Sequence, residues 1–266
     1  MKIKNYKLKA SVLIANYNNA KYIDKCLNSI VKQTYKNVEI IFVDDNSSDN
    51  SIIVAKKYSN RIKLIKNKIK TGIGSFDQIQ TFYTALKEST GDIIFLLDSD
   101  DYFNKEKISI LIEEFIKNKK MNILYDLPIK KFPKKNVFIK KNKMKPWNNY
   151  WPYFSPTSCI TIRKKYFLQV LKLIDFKIFP DIWLDFRIGI SSMYLFNQYN
   201  FTNKNLTFYR QSDKNVSSGF KHLSVTWWQR RMQAHDFIKF FFTKNKIKYK
   251  KNFDYYLTGF INFFLK

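Results

Sequence analysis

Cysteine, glycine, proline and histidine are all scarce in this chain. Of its 266 residues only two are Cys, six Gly, six Pro and two His. Cys26 and Cys159 stand far apart and outside any CxxC pair, which excludes a disulfide framework and predicts two small buried thiols. His222 and His235 lie apart from each other and from the cysteines, so no zinc-ligand spacing is present. Acids are also few, with 21 Asp and Glu against 48 Lys and Arg. No apolar run reaches the roughly 18–20 residues that span a bilayer. The lysine-rich residues 1–9 precede an apolar run of only residues 10–15, which is short for a secretory leader and lacks a small-residue cleavage pattern. The expected setting is the cytoplasm, with peripheral contact at the inner face of a membrane as a variant of it.

What is abundant is apolar and basic. A 45% hydrophobic and 18% aromatic content excludes a disordered chain, and the length suffices for one large domain, alone or with a small appendage. The net charge of +27 suits an anionic partner: nucleic acid, anionic lipid or a sugar nucleotide. It equally suits a lysine bias spread over a solvated surface. Two stretches concentrate it. Residues 130–145 hold eight lysines and no acid, and residues 239–251 alternate lysine with Phe, Ile and Tyr.

Short branched runs alternate with helical periodicity through the first 111 residues. Residues 10–15, 38–43, 62–65 and 92–97 read as buried strands. Helices are expected from Ala20, with Asn19 as N-cap, through Ile52, Ile53 and Ala55 after a Ser48 or Asp49 cap, and over residues 75–89, ended by Gly91. This order predicts a mostly parallel sheet covered on both faces, whose ligand lies beyond the carboxyl ends of the strands. Three of those ends carry polar clusters: residues 16–19, 44–49 and 98–101. Beyond residue 111 strands are expected at 123–127, 137–139 and 157–162, helices at 164–173 and 185–196, and an edge strand at 206–209. Aromatic residues recur at helical spacing over 225–242 and 253–265.

Asp98-Ser99-Asp100-Asp101 places three carboxylates directly after a buried strand. Such crowding is unfavourable without a cation, and a hard divalent ion bound to a diphosphate relieves it. The competing explanation is a solvated turn that caps the next helix. Asp44-Asp45 forms a second acidic pair on the same edge, where a carboxylate can accept from a base N–H or a ribose hydroxyl. Tyr17 offers an aromatic face there. Packing at a loop and helix capping are the plain alternatives for Tyr17 and Asp45. The glycines around Gly72 lack the third glycine of a dinucleotide fingerprint, and no P-loop is present.

Ala15-Asn16-Tyr17-Asn18, the run Val43 to Asp49 and the run Gly91 to Asp101 together resemble the family-2 inverting glycosyltransferases of GT-A fold, as found in bacterial surface polysaccharide and oligosaccharide synthesis, capsule and lipooligosaccharide included. Gln33-Thr34-Tyr35 and Gly72 fit as well. The resemblance covers residues 9–111 most closely, extends to about residue 217 and stops there. It implies an α/β GT-A fold: a catalytic domain over 1–217, with a nucleotide-binding half (1–111) and an acceptor half (112–217), followed by a C-terminal aromatic and basic helical segment (218–266).

The resemblance further implies a nucleotide-sugar donor, most naturally a UDP-sugar, a saccharide or lipid-linked acceptor, and Mn²⁺ or Mg²⁺. Ala15, Tyr17, Asp45 and Gly72 would bind the nucleotide sugar, Asp98 the ribose or metal, Asp100 the metal, and Arg210 a phosphate, while Asp101 shapes the loop. An inverting transfer also needs a base opposite the leaving diphosphate. The family's base is an acid that opens a helix upstream of a Tyr-Arg pair, here Tyr209-Arg210, which selects Asp185 with Asp181 as competitor. Helix capping explains acids at both positions too. The histidine that often follows the Tyr-Arg pair is missing, and Asp213 is its candidate substitute.

The C-terminal mixture of Phe, Tyr and Lys suits either packing helices or an anionic membrane interface. Trp147, Trp151 and Tyr153 are candidates for stacking on an acceptor sugar. The functional alternative to an enzyme is a basic module that binds glycan or nucleic acid without turnover.

Overall fold

The computed structural model describes residues 8–68, 70–140, 150–151, 155–173, 177–211 and 221–265. Strand β1 (Ala10–Asn16) is buried along its whole length, as a continuous apolar run demands of a strand covered on both faces. It pairs in parallel with β2 (Val38–Asp44) on one side and β4 (Ile93–Asp98) on the other, and β3 (Lys63–Lys66) adds to β2. Helices α1 (Ala20–Val31), α2 (Ser51–Lys56) and α3 (Gly74–Glu88) make the crossovers.

Alternate strand residues face two cores. Leu13, Ile41, Val43, Ile94 and Leu96 pack with Ile79, Phe82 and Leu86 of α3. Val12, Ile14, Phe42, Phe95 and Leu97 pack with Ile23, Cys26, Leu27 and Ile30 of α1. Cys26 and Cys159 are both free and buried, as expected from their isolation.

Beyond β4 the sheet becomes mixed. The two-residue strand β5 (Tyr102–Phe103) and helix α4 (Lys107–Lys117) precede β6 (Ile123–Lys131) and its hairpin partner β7 (Asn136–Phe138). Strand β8 (Ile160–Arg163) lies antiparallel between β4 and β6. Helices α5 (Lys164–Leu173) and α6 (Leu184–Tyr194) lead to β9 (Phe201–Arg210), parallel to β6 and antiparallel to β5. The described strands run in the order β3-β2-β1-β4-β8-β6-β9-β5. The expected edge strand is therefore longer than residues 206–209, and β5 flanks it.

Two local expectations change. Helix α3 ends at Glu88, before Gly91, with Ser89 already extended. Gly91 serves a close approach instead: its N–H donates to Ser11 Oγ and Glu39 Oε1, and a Cβ there would sit 2.9 Å from the Lys9 carbonyl oxygen. Asn19 precedes α1 without capping it by its side chain. Its amide donates to Ser99 Oγ at 3.0 Å, while the Ala20 N–H donates to Asp49 Oδ2 at 3.0 Å. The helix start is thus capped from the neighbouring loop, which fastens three rim loops to one another.

Helices α7 (Val225–Lys244) and α8 (Phe253–Phe264) complete the chain. Helix α7 lays Ala234, Phe237, Ile238, Phe241 and Phe242 into the same core as α3, α5 and α6. Helix α8 packs on α7, yet only Thr258 of it is buried. No helix among the described residues is long and apolar enough to cross a membrane.

Candidate functional site

Parallel register fixes the rim. Asn16 aligns with Asp44 and Ala15 with Asp98, so the end of β1 lies between the two acidic loops. Neighbouring strands are about 4.8 Å apart, which puts those loops about 10 Å from each other.

Several acids on this rim hold the backbone. Asp44 is buried and accepts from Asn16 Nδ2 (2.7 Å), Ser47 Oγ (2.6 Å) and the Ser47 N–H (3.0 Å). Asp101 is buried and accepts from Ser158 Oγ at 2.6 Å and the Arg210 N–H at 2.8 Å. Beneath it, Lys107 and Asp126 form a fully buried ion pair at 2.8 Å. Lys107 also donates to the Ser158 carbonyl (2.7 Å) and Thr207 Oγ1 (2.6 Å), so one network ties α4, β6, β9 and the turn before β8 under the site.

One side of the rim is formed by Tyr17, Asp45 and the start of α3. Asp45 is buried, accepts from Asn67 Nδ2 at 3.0 Å and has Lys70 Nζ at 4.0 Å. Burial raises its carboxyl above the ordinary range, with Asn67 opposing. Tyr17 is 47% exposed, and the Lys70 ammonium lies over its ring. Gly72 has φ +85, which only glycine adopts without strain, and its N–H donates to Asp77 Oδ2 at 3.0 Å. Ala15 lies at the floor of this side as the partner of Asp98.

The remaining acids gather at the end of β4. Asp98 is partly buried and accepts from Gln78 Nε2 at 2.7 Å. Burial, then the charges of Asp100 and, after the opposing Gln78 bond, Asp185, push its carboxyl up to about 7. Burial also raises Asp100, and it raises Asp101 strongly. Arg210 donates from Nε to the Asp100 carbonyl at 2.8 Å, with its guanidinium 4.3 Å from the centre of the Tyr22 ring.

Asp185 lies in the first turn of α6, where its Oδ1 accepts the Phe186 N–H at 2.8 Å. Burial pushes it up to about 7, against that bond and the Arg230 charge. Asp181 faces α7 instead: Gln233 Nε2 donates to its Oδ2 at 2.8 Å. The structure therefore brings Asp98 within electrostatic reach of Asp100, Asp101 and Asp185, and holds Asp181 in a helix contact.

Arg230 of α7 escaped the sequence reading, which set residues 218–266 apart from the catalytic part. Its Nε donates to the Asp181 carbonyl (3.0 Å), its Nη2 to Ser75 Oγ (3.1 Å), and its guanidinium stacks 4.1 Å from the Trp183 ring centre. Burial lowers it to about 10, while Asp185 and Asp181 support its charge. An Arg in a long aromatic helix carries no signal of this in sequence, and neither do Lys70, Asn67 or Gln78.

Trp151 is a packing residue: its indole N–H donates to Asp254 Oδ2 at 3.0 Å, and its ring meets Phe186 and His235. Trp147, Tyr153 and Asp213 lie outside the described residues.

Among the described residues no three Asp, Glu, His or Cys side chains gather as a metal cage. Asp98 and Asp100 nonetheless fit a divalent ion. They are crowded carboxyls whose ionised forms are disfavoured by burial, and Mg²⁺-type ions commonly take one or two carboxylates and complete their shell with phosphate oxygens.

A family model described as "Glycosyl transferase family 2" matches residues 11–183. Among curated relatives, the Staphylococcus aureus poly(ribitol-phosphate) beta-N-acetylglucosaminyltransferase TarS is 36% identical over 103 residues, 38% of this chain and 18% of TarS. The Escherichia coli UDP-Glc:alpha-D-GlcNAc-diphosphoundecaprenol beta-1,3-glucosyltransferase WfgD is 36% identical over 109 residues, 41% of each chain. The matched segments thus span less than half of these relatives. Of solved structures, S. aureus TarS 1–349 with UDP-GlcNAc superposes with TM-score 0.64 at 22% identity, over 86% of this chain and 66% of that one. The mannosyltransferase PcManGT of Pyrobaculum calidifontis, with GDP-Man and Mn²⁺, gives 0.59 at 16% identity, over 98% and 70%. These likenesses establish the GT-A fold.

Proposed function

The chain belongs to glycosyl transferase family 2, and from that premise we propose that it moves a sugar, with inversion, from a UDP-sugar to a saccharide or lipid-linked glycan in polysaccharide synthesis. The observation that carries this reading is the gathering of the Asp98, Asp100 and Asp185 carboxyls, all raised by burial, around the end of β4. TarS, solved with UDP-GlcNAc, and WfgD, a UDP-Glc glucosyltransferase by name, support a UDP-sugar. The same reading sets the enzyme in the cytoplasm, peripheral to the membrane that carries a lipid-linked acceptor.

In this reading residues 1–217 form the catalytic domain, with Arg230 of the following segment reaching back to it. Tyr17 stacks on the base and Asp45 accepts from its edge, beside Ala15. The Gly72 backbone lets the loop before α3 approach the donor closely, and Arg210 supports a phosphate. Asp100, with Asp98, holds Mn²⁺ or Mg²⁺, which when bound neutralises charge on the departing diphosphate.

Asp185 is the base. It takes the proton from the acceptor hydroxyl as that oxygen bonds to the anomeric carbon. The bond from that carbon to the diphosphate oxygen breaks on the opposite face, and its electron pair leaves with UDP. Asp181 is the weaker candidate because its carboxylate is turned to α7, where Gln233 holds it, whereas Asp185 lies within electrostatic reach of Asp98.

The test is release of nucleoside diphosphate from a panel of nucleotide sugars, with and without Mn²⁺. Metal-dependent release from at least one UDP-sugar, lost in Asp100→Ala, is expected. No release from any donor points to a binding module and overturns the enzyme.

A further inference from the structure

Helix α8 is built inside out. Asp254, Thr258 and Asn262, spaced by four residues, form its inner stripe. Asp254 accepts from Arg231 Nη2 (2.6 Å) and Trp151 Nε1 (3.0 Å), Thr258 is fully buried, and Asn262 Nδ2 donates to the Trp228 carbonyl (3.0 Å). The opposite face carries Phe253, Tyr256, Leu257, Phe260, Phe263 and Phe264, all exposed, with Phe253 at 80% and Phe263 at 72%. A helix that spends its polar face on its own protein and turns six large apolar side chains outward needs a covering from outside.

The chemistry beside this face identifies the covering. From the end of α7 into α8, Ile247 and Tyr249 pack against the core, while Lys244, Lys246, Lys248, Lys250 and Lys251 are exposed. The Lys251 ammonium lies 5.9 Å from the centre of the exposed Tyr256 ring, so the basic row borders the aromatic face directly. A second copy of the chain seated on this face would bring one lysine row against another, at a net charge of +27 per chain. A surface that is apolar below and anionic at its headgroups satisfies both features at once.

We infer that α8 docks this protein on an anionic lipid surface, lying in the interface plane with its phenylalanines among the acyl chains and the lysines of residues 244–251 at the headgroups. The purpose of docking rests on the transferase reading above; the docking surface itself follows from α8 and its lysines alone. The ion pair between Arg231 and Asp254 fastens the docked helix to α7, one residue from Arg230 at the acid cluster. The catalytic rim is thereby carried on the element that would meet the membrane, where a lipid-linked acceptor is confined.

Flotation of the full chain with phosphatidylglycerol–phosphatidylcholine vesicles, against phosphatidylcholine vesicles alone, tests this. Binding to the anionic vesicles is expected to exceed binding to the neutral ones by about tenfold or more. Phe260→Ser, Phe263→Ser and Phe264→Ser combined abolish it. Lys248→Gln, Lys250→Gln and Lys251→Gln combined lower it by about fivefold per lysine. These positions are exposed, so circular dichroism and donor hydrolysis in solution stay at the wild-type level. The proposal is overturned by absence from the anionic vesicles, by flotation that survives the phenylalanine changes, or by a dimer in solution that those changes dissociate. Vesicle binding without hydrolysis of any donor leaves the docking surface standing and sinks the transferase reading instead.

Discussion

The acid rim at the end of β4 and the outer face of α8 break the ordinary partition of side chains in opposite directions. At the rim, carboxyls are drawn into surroundings that disfavour their charge, so that Asp98 and Asp185 are both pushed up to about 7. On α8, phenylalanines stand in water while Asp254, Thr258 and Asn262 face inward. Neither arrangement stabilises the free chain, and each would become favourable with the partner proposed for it: a cation with a sugar diphosphate in one case, a lipid surface in the other. Unfavourable placement in a packed protein is a pointer to a ligand, and its sign tells what chemistry the ligand has.

The largest effect that sharpens this contrast belongs to Asp100. Asp100→Ala should lower metal-dependent nucleoside diphosphate release by roughly 10³-fold or more, with circular dichroism unchanged. Asp185→Asn should lower kcat by about 10²–10⁴-fold while donor binding, measured by calorimetry, stays the same. Asp181→Asn should cost far less. In the proposed mechanism Asp185 acts as base in its ionised form, and burial pushes its carboxyl up to about 7, so the wild-type kcat should rise with pH up to about 7 and level off above it. A profile already flat from pH 5 would remove Asp185 from that role.

Next comes the support beneath the rim. Lys107→Met leaves Asp126 buried without its partner and should cost about 3–5 kcal/mol in denaturant unfolding. Smaller still is the link between α7 and α8. Burial works against the ionised Asp254, but bonds from His235 and Arg231 bring its carboxyl down to about 2. A carboxyl lowered on folding contributes stability above its ordinary pKa of about 3.9, and the contribution fades as pH falls toward 2. Asp254→Asn should therefore cost about 1 kcal/mol at pH 7, after screening by water, and nothing near pH 2. The smallest effect is on the outer face of α8. Phe263→Ser should change unfolding free energy by less than about 0.5 kcal/mol, since the ring packs on nothing that the fold needs. A loss of several kcal/mol there would mean that the face is structural after all, and the contrast would collapse.

The first half of the fold was readable because its strands are continuous apolar runs and its loops stop at conspicuous polar residues. Residues 10–16, 38–44 and 93–98 lie within a residue of where periodicity put them. What periodicity could not distinguish was which acids act and which hold the backbone. Asp44 and Asp45 look alike in sequence, yet Asp44 is absorbed by Asn16 and Ser47, and Asp101 by Ser158 and Arg210. Those partners come from distant parts of the chain. Strand β5, only two residues long, carries no periodicity at all, and β8 reveals its antiparallel direction only through β4 and β6. Arg230 was lost because the aromatic C-terminal segment looked like a unit separate from the rim. The orientation of α8 ran against the usual rule, under which the apolar stripe of a helix is its inner face. Only the bonds of Asp254 and Asn262 show that it is the outer one.

Titration calorimetry of UDP, in Mn²⁺ and in a chelator, compared across wild type, Asp45→Ala and Asp100→Ala, tests most directly whether the two acidic loops serve one ligand. Asp45→Ala should weaken UDP in both conditions, whereas Asp100→Ala should remove only the gain that Mn²⁺ brings. UDP binding that ignores both Mn²⁺ and Asp45 would contradict a shared site at the end of β1.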